Sequence, residues 1–444
     1  MTSMDSSPIA ELEASATLSP GPARKLPSIV YLAGALAGGN VLSSVLRMVG
    51  GILQARLVTV PMLGLFCILS LAMEYASMAQ FGVFNGLNRE LPYFSGKGDH
   101  RRVSELAAAA QAWAILVSLL VAVVMLALAI WYGIQGDMWR AAGWLSNALF
   151  ASLLFYCAQP ISYLQVTYRT GHDFARLAMV GVVQNAVGLV LIVLVAYFNF
   201  YGMCLRMLLT FAVSGVLLHY MRPLRVGPKW NTVHLKHLLA VGLPIFGVGL
   251  LYYGWTTLLN KTLVATYTGE RGMGLYSNVI TAATMLELLP GAVGQIVYPR
   301  MSEKYGRTGK LQGLLGMTAK PMALTALGMI PVIALCWWLV EPAMRLVLPR
   351  YIEAVPAMRW GMLVPFISSF APVNLVFNVV RRMDLYLVAI LLGMATYGGC
   401  LLWLLRGGVT LVAFPQAMLA GQVVFMLSSY AFVLYLTRRE RAAS

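Results

Sequence analysis

Long apolar stretches recur along the whole chain and constrain its fold more than any other feature. Of 444 residues, 59% are hydrophobic and 11% are charged, whereas soluble domains carry about 25% charged residues. A helix needs about 20 mostly apolar residues to cross a bilayer. Twelve stretches meet this requirement, approximately at 31–57, 60–84, 105–133, 144–168, 174–198, 203–221, 238–264, 275–298, 319–341, 357–379, 384–405 and 411–436. The sequence therefore predicts an all-α polytopic membrane protein with twelve transmembrane helices.

The distribution of basic residues predicts which side of the membrane each loop faces. Cytoplasmic loops of membrane proteins are enriched in Lys and Arg. If the N-terminus is cytoplasmic, 22 of the 32 Lys and Arg residues fall on that side, and Arg47 lies within the first helix. The remaining nine fall on the other side: Arg56, Arg140, Arg206, Lys261, Arg271, Arg345, Arg350, Arg359 and Arg406. Both termini are then cytoplasmic. The net charge of +16 is explained by this bias, and we expect no nucleic-acid partner.

Short matching motifs indicate that the second half of the chain repeats the first. LGLF at Leu63–Phe66 lies where the chain enters the second helix, and MGLY at Met273–Tyr276 lies where it enters the eighth. Six helices per half predict two six-helix lobes related by a pseudo-two-fold axis normal to the membrane. The expected boundaries are a disordered cytoplasmic tail at 1–28, an N-lobe at 29–222, a cytoplasmic amphipathic linker at 223–237, a C-lobe at 238–437 and a cytoplasmic tail at 438–444.

Polar residues inside the predicted helices indicate a cavity, because such residues face protein or water rather than lipid. Helices one, two, seven and eight carry polar stripes, whereas helices three and nine are almost wholly apolar. We expect the four striped helices to surround a central cavity and the apolar helices to face lipid. The predicted cavity-lining residues are Asn40, Ser44, Gln54, Ser77, Tyr253, Asn260 and Thr284.

Charged residues within these stripes are candidates for function. Arg47 and Glu74 lie on adjacent helices, where they either serve transport or form a salt bridge that fixes packing. Glu287 has Lys261 as the nearest cation of its own half, closer to the outer surface. Glu287 is therefore the better candidate for a group that titrates or meets a substrate.

Other motifs argue against catalysis and metal binding. His234 and His237 are three residues apart, a spacing that can bind a metal, but the surrounding Lys, Arg and Trp residues favour a basic amphipathic helix on the inner leaflet. The chain has neither a nucleotide-binding GxxxxGK[ST] motif nor an HExxH motif. No large extramembrane domain is predicted to hold a catalytic site. The sequence favours transport, with no metal site.

Five segments resemble one known family. They are FNGLNRELPYFSGKGDHRR at 84–102, VGLPIFG at 241–247, MGLYSNV at 273–279, VYPRMSEKYGR at 297–307 and LVLPRYIEAVPAMR at 346–359. From about residue 30 to 437, the chain resembles the polysaccharide transporters of the multidrug/oligosaccharidyl-lipid/polysaccharide exporter superfamily. The resemblance implies a Wzx-type flippase in the bacterial inner membrane. Such a protein moves undecaprenyl-diphosphate-linked oligosaccharide by alternating access, for O-antigen, capsule or exopolysaccharide assembly.

The resemblance also implies roles for particular residues. Arg47, assisted by Lys261, is expected to contact the anionic head group or an anionic sugar, because a guanidinium binds phosphate bidentately. Arg89 and Arg300 stand at equivalent cytoplasmic ends, where they either capture the diphosphate or follow the general charge bias of such loops. Glu74 and Glu287 are expected to serve ion coupling or gating.

The expected ligands and partners follow from the same resemblance. We expect no cofactor, and H+ or Na+ are the candidate coupling ions. The expected partners are the lipid-linked oligosaccharide, membrane lipids, a polysaccharide polymerase and a chain-length regulator.

Two other functions remain open from the sequence. The first is a cation-coupled multidrug or small-molecule antiporter of the same superfamily, although helix one carries Arg47 and lacks the acidic residue characteristic of those antiporters. The second is a polytopic polysaccharide-assembly enzyme or scaffold. Such enzymes usually have a large outer loop or an intramembrane His or Asp motif, and neither is seen in this sequence.

Overall fold

A computed structural model describes residues 29–159, 161–308, 314–380 and 382–443, and helices dominate this part of the chain. No β-strand occurs in these ranges. The predicted tail at 1–28 lies outside the described residues. The helices of the first half are α1 Ile29–Leu57, α2 Val60–Ala76, α3 Val83–Gly96, α4 His100–Ile134, α5 Met138–Leu153, α6 Tyr163–Thr170, α7 Phe174–Val190 and α8 Ile192–Tyr220.

The second half of the described chain is also helical. Its helices are α9 Thr232–Tyr253, α10 Asn260–Thr308, α11 Leu314–Val347, α12 Val355–Gly361, α13 Leu363–Ser368, α14 Leu375–Val380, α15 Met383–Leu405 and α16 Ala413–Ala443. Two breaks inside helices separate predicted neighbours. Asn199 interrupts α8 with φ 49°, and Gly269 interrupts α10 with φ 64°.

Eight helices of the described chain are long and apolar enough to cross a membrane, and a bent pair raises this number to nine. The bent pair, Pro349–Ser368 and Ala371–Phe377, turns by 46° where the sequence predicts a single span. Proline lacks the N–H that continues a helix, and Pro372 stands at this bend. The protein is thus a polytopic α-helical membrane protein, and the count of twelve crossings stays a prediction.

Two long helices expose apolar faces that suit lipid rather than water. Leu119 and Leu120 on α4, and Leu324 and Leu327 on α11, are all more than half exposed. Burial of apolar surface is worth about 25 cal/mol per Å², so these faces favour a bilayer. They belong to the third and ninth predicted helices, the two expected to face lipid.

Contacts between residues divide the chain into two compact units. The first comprises residues up to Gln54 together with Ala72–Leu250, and the second comprises Ala55–Leu71 together with Leu251–Ser444. The end of α1 and most of α2 therefore belong to the second unit, and most of α9 belongs to the first. Each unit has its own buried core. Phe84 and Leu238 belong to the core of the first unit, and Phe377 belongs to the core of the second.

The connection between α8 and α9 differs from the predicted amphipathic helix. Residues 222–231 are not helical, and the Lys229 amide donates a hydrogen bond of 3.1 Å to the Ala108 carbonyl. Pro223 and Pro228 interrupt this segment, since proline disfavours helix in itself and in the preceding residue. The helix begins only at Thr232, after the Asn231 side chain accepts hydrogen bonds from the first turn.

The two histidines at the start of α9 pair with separate carboxylates. His237 Nε2 lies 2.8 Å from Glu90 Oε2, and His234 Nε2 lies 3.2 Å from Glu105 Oε2. Within the described residues, no group of three His, Cys, Asp or Glu side chains is placed to hold a metal ion. Both histidines therefore connect α9 to neighbouring helices of the first unit.

Close backbone contact between α9 and the start of α3 depends on glycine. A Cβ atom at Gly242 would lie 2.0 Å from the Gly82 carbonyl oxygen, and one at Gly86 would lie 2.2 Å from the Leu238 carbonyl oxygen. Gly82 also has φ 86°, a conformation that side chains disfavour. Only glycine fits these positions without movement of the helices.

We expect Gly242→Ala to destabilise the first unit by about 1–3 kcal/mol, the usual cost of overpacking. The added methyl group overlaps the Gly82 carbonyl, so thermal unfolding in a single detergent should begin at a lower temperature. Gly249→Ala on the same helix is the matched control, because nothing lies within 4 Å of its Cβ position. Equal melting temperatures of the two variants would contradict this packing.

Candidate functional site

The second unit encloses a pocket of about 310 Å³. Its walls come from the junction of α9 and α10, the part of α10 after Gly269, α12 with α13, and the start of α16. Apolar residues such as Val279 and Met418 alternate with polar ones. The polar residues of the lining are Tyr252, Tyr253, Thr256, Thr257, Asn260, Lys261, Tyr276, Thr284, Glu287, Ser368 and Gln422.

A local change of helix type and a chain reversal bring these residues together. The segment Gly254–Leu259 between α9 and α10 is π-helical, a form that often occurs at functional sites. Asn260 and Tyr276 would lie about 24 Å apart on one straight helix. The Asn260 Nδ2 atom instead donates a hydrogen bond of 2.8 Å to the Tyr276 hydroxyl. The break at Gly269 therefore folds the two parts of α10 against each other.

A buried hydrogen-bond network fixes one wall of the pocket. The Tyr397 hydroxyl donates to Asn260 Oδ1 at 3.0 Å, and the Asn260 amide in turn donates to Tyr276. Both tyrosines are buried. Trp255 packs beside Tyr397. Gly421 leaves room for the Trp255 indole, because a Cβ atom at position 421 would lie 3.0 Å from it. These contacts hold the Asn260 side chain in one orientation.

The opposite wall carries the ionisable group of greatest interest. Glu287 is exposed to the pocket, and the Ser368 hydroxyl donates a hydrogen bond to its carboxylate. Lys261 lines the same pocket and is half-buried. One carboxylate and one ammonium group therefore share a site whose other polar groups are neutral.

Gln422 adds an unused acceptor to the pocket. Its side chain is only 3% exposed, and its amide donates to the Tyr252 hydroxyl. The Gln422 Oε1 atom has no hydrogen-bond partner among the described residues. A buried carbonyl oxygen without a partner is costly, so it favours a ligand that donates a hydrogen bond, such as a hydroxyl group.

The structure gathers five of the sequence-predicted residues in this one pocket. Tyr253, Asn260, Lys261, Thr284 and Glu287 all contribute to its lining. They come from the predicted helices seven and eight, whose polar stripes face each other within the second unit.

The predicted residues of the first half are more dispersed within the first unit. Arg47 on α1 and Arg89 on α3 are exposed, whereas Ser44 and Glu74 are half-buried. The Ser77 hydroxyl is bonded at 2.6 Å to the Glu74 backbone carbonyl. The side chains of Asn40 and Arg300 lie outside the described part of the structure.

Gln54, another predicted cavity-lining residue, has hydrogen-bond partners within the first unit. It is buried, its amide donates to Met203 Sδ at 3.1 Å, and Arg206 donates to its side-chain oxygen. Arg206 also donates to the Gly188 carbonyl at 2.6 Å. Gln54 therefore connects α1 to α8, where it satisfies a guanidinium that the sequence placed at the outer surface.

Sequence reasoning missed several residues of the pocket. Ser368 and Gln422 lie on helices without a polar stripe, so no periodic pattern identified them. Gln422 nevertheless carried one signal, because an amide in a long apolar helix is expected to face protein or water. Tyr252 and Tyr276 were not among the predicted cavity-lining residues either.

The described helices have the fold of a membrane transporter. An inward-facing multidrug resistance MATE family transporter of the MOP superfamily superposes with a TM-score of 0.74 at 13% identity, covering 90% of this chain and 96% of that one. An outward-facing MATE transporter gives 0.65 at 15% identity, with 93% and 96% covered. A MOP superfamily transporter from Pyrococcus furiosus, reported to have a binding pocket of reverse polarity, gives 0.64 at 14% identity, with 92% and 95% covered. At these identities the similarity establishes the fold alone.

A match to a family model identifies the protein more specifically than the fold does. The model described as polysaccharide biosynthesis protein matches residues 53–356, which is more than half of the chain. The chain therefore belongs to this family of polysaccharide biosynthesis proteins, and the resemblance to the polysaccharide transporters of the superfamily is confirmed. No curated protein sequence matches the chain significantly.

We expect Asn260→Ala to destabilise the second unit, because it leaves the buried Tyr276 and Tyr397 hydroxyls without their partner. The cost should be about 1–3 kcal/mol, measured as a lower thermal unfolding temperature. Thr284→Ala is the control, since its hydroxyl donates to Ile280 of the same helix and faces the pocket. A shift no larger than that of the control would show that the network is not structural.

Proposed function

We propose that this protein moves lipid-linked oligosaccharide repeat units from the cytoplasmic to the periplasmic leaflet of the bacterial inner membrane. The carrier lipid in this proposal is undecaprenyl diphosphate, and the product serves O-antigen, capsule or exopolysaccharide assembly. The family match to polysaccharide biosynthesis proteins and the transporter fold support it. The movement would use alternating access without a catalytic step.

The composition of the second-unit pocket is the observation that carries this proposal. Sugars present many hydroxyl groups and apolar ring faces, and small-molecule sites bind such ligands with apolar walls and a few placed polar groups. The pocket combines threonine, tyrosine and amide side chains with apolar ones. The free acceptor of Gln422 suits a sugar hydroxyl as donor.

The anionic part of the substrate needs cationic contacts. In this proposal Arg47 binds the diphosphate or an anionic sugar, with Lys261 assisting, because guanidinium and phosphate form bidentate hydrogen bonds. Arg47 is exposed on α1 and so accessible to a ligand. Arg89 and Arg300 would receive the diphosphate at the cytoplasmic side.

Ion coupling belongs to Glu287 in this proposal, with Glu74 in gating or coupling. Glu287 faces the pocket beside a hydroxyl donor, where a bound proton or sodium ion would change the charge that the substrate meets. The proposed partners are a polysaccharide polymerase and a chain-length regulator, and no cofactor is involved.

Deletion of the gene in its host tests the proposal. We expect surface polysaccharide to be lost and the lipid-linked repeat unit to accumulate, because assembly on the periplasmic side lacks its substrate. Chromatography of extracted lipids measures the accumulation, and a wild-type copy should reverse both effects. Normal polysaccharide without accumulation, in a host with no second flippase, would contradict it. Loss of organic-cation efflux in the same cells would instead favour the antiporter alternative.

We expect Glu287→Gln to reduce gradient-driven transport by about tenfold, a typical size for coupling between two sites. The substitution keeps the shape of the side chain and its Ser368 contact but removes the charge. Transport into vesicles under an imposed H+ or Na+ gradient measures the effect. Glu353→Gln is the control, because Glu353 pairs at 2.8 Å with Arg271 outside the pocket. Equal gradient stimulation of both variants would exclude Glu287 from coupling.

A further inference from the structure

A second, smaller pocket lies at one end of the second unit. The last turn of α1 meets the residues that follow α11 around a space of about 210 Å³. Arg56 comes from α1, and Arg350 and Tyr351 come from the 3₁₀ turn Pro349–Ala354. Leu346 and Leu348 provide an apolar wall. This pocket shares no residue with the larger one.

The two arginines of the smaller pocket can donate hydrogen bonds but cannot accept them. Arg56 and Arg350 are exposed, and neither has a hydrogen bond or ion pair with any other described residue. Each guanidinium therefore offers five N–H donors in a planar fork. The lining contains no acidic residue, so a ligand must supply the negative charge.

Other arginines nearby behave differently. Arg271 bonds Glu353 at 2.8 Å, while Arg345 and Arg359 share Glu341 at 2.8 Å and 3.0 Å. Glu341 and Glu353 are thus already paired. These three arginines have carboxylate partners, whereas the two in the pocket lack one among the described residues.

Tyr351 supplies an independent sign of a missing partner. Its side chain is 0% exposed, and its hydroxyl has no hydrogen-bond partner in the described part of the chain. The Tyr351 amide donates to the Leu348 carbonyl at 2.9 Å, which holds the turn that presents Arg350. Tyr351 is therefore a buried aromatic residue with a fixed position in the wall of the pocket.

The surroundings of the smaller pocket favour a ligand that has an apolar part. Leu346, in the last turn of α11, is 81% exposed beside the two arginines. The ends of apolar helices lie near the lipid head groups of a bilayer. Arg56 also lies in the last turn of α1, where its positive charge is favourable near the helix C-terminus, but this leaves its N–H donors unused.

We propose that Arg56 and Arg350 bind a phosphoryl group carried on an apolar chain. Both arginines line this pocket, and a guanidinium can form bidentate hydrogen bonds with the oxygens of a phosphate or diphosphate. The wall of Leu346 and Leu348 accommodates the first part of the chain. The charge pattern places both arginines on the side opposite the cytoplasm, so the site would act where a translocated lipid arrives.

Binding to the purified full chain in a neutral detergent tests this site without requiring transport. The probes are farnesyl diphosphate, phosphatidylglycerol, inorganic diphosphate and uncharged farnesol, each titrated by calorimetry. The Arg56→Gln/Arg350→Gln double variant removes both charges at similar side-chain size. Arg271→Gln/Arg345→Gln is the matched control, since it removes two paired arginines of the same end. Thermal unfolding confirms that each variant is folded.

We expect the double variant to bind the amphiphilic phosphate at least tenfold more weakly than wild type, and the control to bind within about twofold. Arg56→Lys/Arg350→Lys should fall between them, because lysine keeps the charge but loses the planar fork. Tighter binding of farnesyl diphosphate than of phosphatidylglycerol would assign the site to a polyprenyl substrate, and the reverse to bulk lipid. Equal binding by wild type and the double variant, or equal binding of farnesol and farnesyl diphosphate, would overturn the proposal.

The result is separate from the flippase proposal. A protein that binds farnesyl diphosphate through these arginines but leaves polysaccharide assembly unchanged on deletion would retain the site and lose the proposed function. A protein that flips its substrate but binds no amphiphilic phosphate at this pocket would retain the proposed function and lose the proposed site.

Discussion

Backbone amides and carbonyls have no water to bond within a bilayer, so each must find a partner inside the chain. This requirement produces the long helices of the structure and restricts where they end or break. At Gly269 the chain reverses direction, and the Asn260 side chain reaches Tyr276 across the reversal. At Gly82 the backbone turns where it touches Gly242 of α9. The turns at Gly269 and Gly82 both bring one helix directly against another, whereas the break in α8 occurs at Asn199.

The same requirement applies to polar side chains and explains the two pockets of the second unit. Polar groups on α9 and α10 cannot face lipid without cost, and so they bond one another or line the larger pocket. That pocket offers donors, acceptors, one carboxylate and one ammonium group, a mixture that suits a ligand rich in hydroxyls. The smaller pocket at the end of α1 offers the donors of Arg56 and Arg350. A glycolipid with a phosphoryl linkage contains a matching group for each of them.

Most of the fold could be predicted from the sequence, because apolar length and the positions of polar residues are direct consequences of the bilayer. The polar stripes of helices seven and eight drew attention to Lys261 and Glu287, which both line the larger pocket. Contacts from distant helices could not be predicted. Ser368 and Gln422 carry no periodic signal, and the burial of Gln54 depends on Arg206 far along the chain. The non-helical segment at 222–231 follows from its prolines rather than from its charge. Pairing of the outer arginines depends equally on tertiary structure.

Whether the protein alone moves a lipid-linked oligosaccharide across a bilayer can be measured in vesicles that contain only the purified protein. Substrate is placed in the inner leaflet, and a lectin outside the vesicles reports each glycan that arrives. We expect glycans to become accessible in vesicles with the protein much faster than in protein-free vesicles. The same rate in both, together with uptake of an organic cation by the protein-containing vesicles, would contradict the flippase and favour an antiporter.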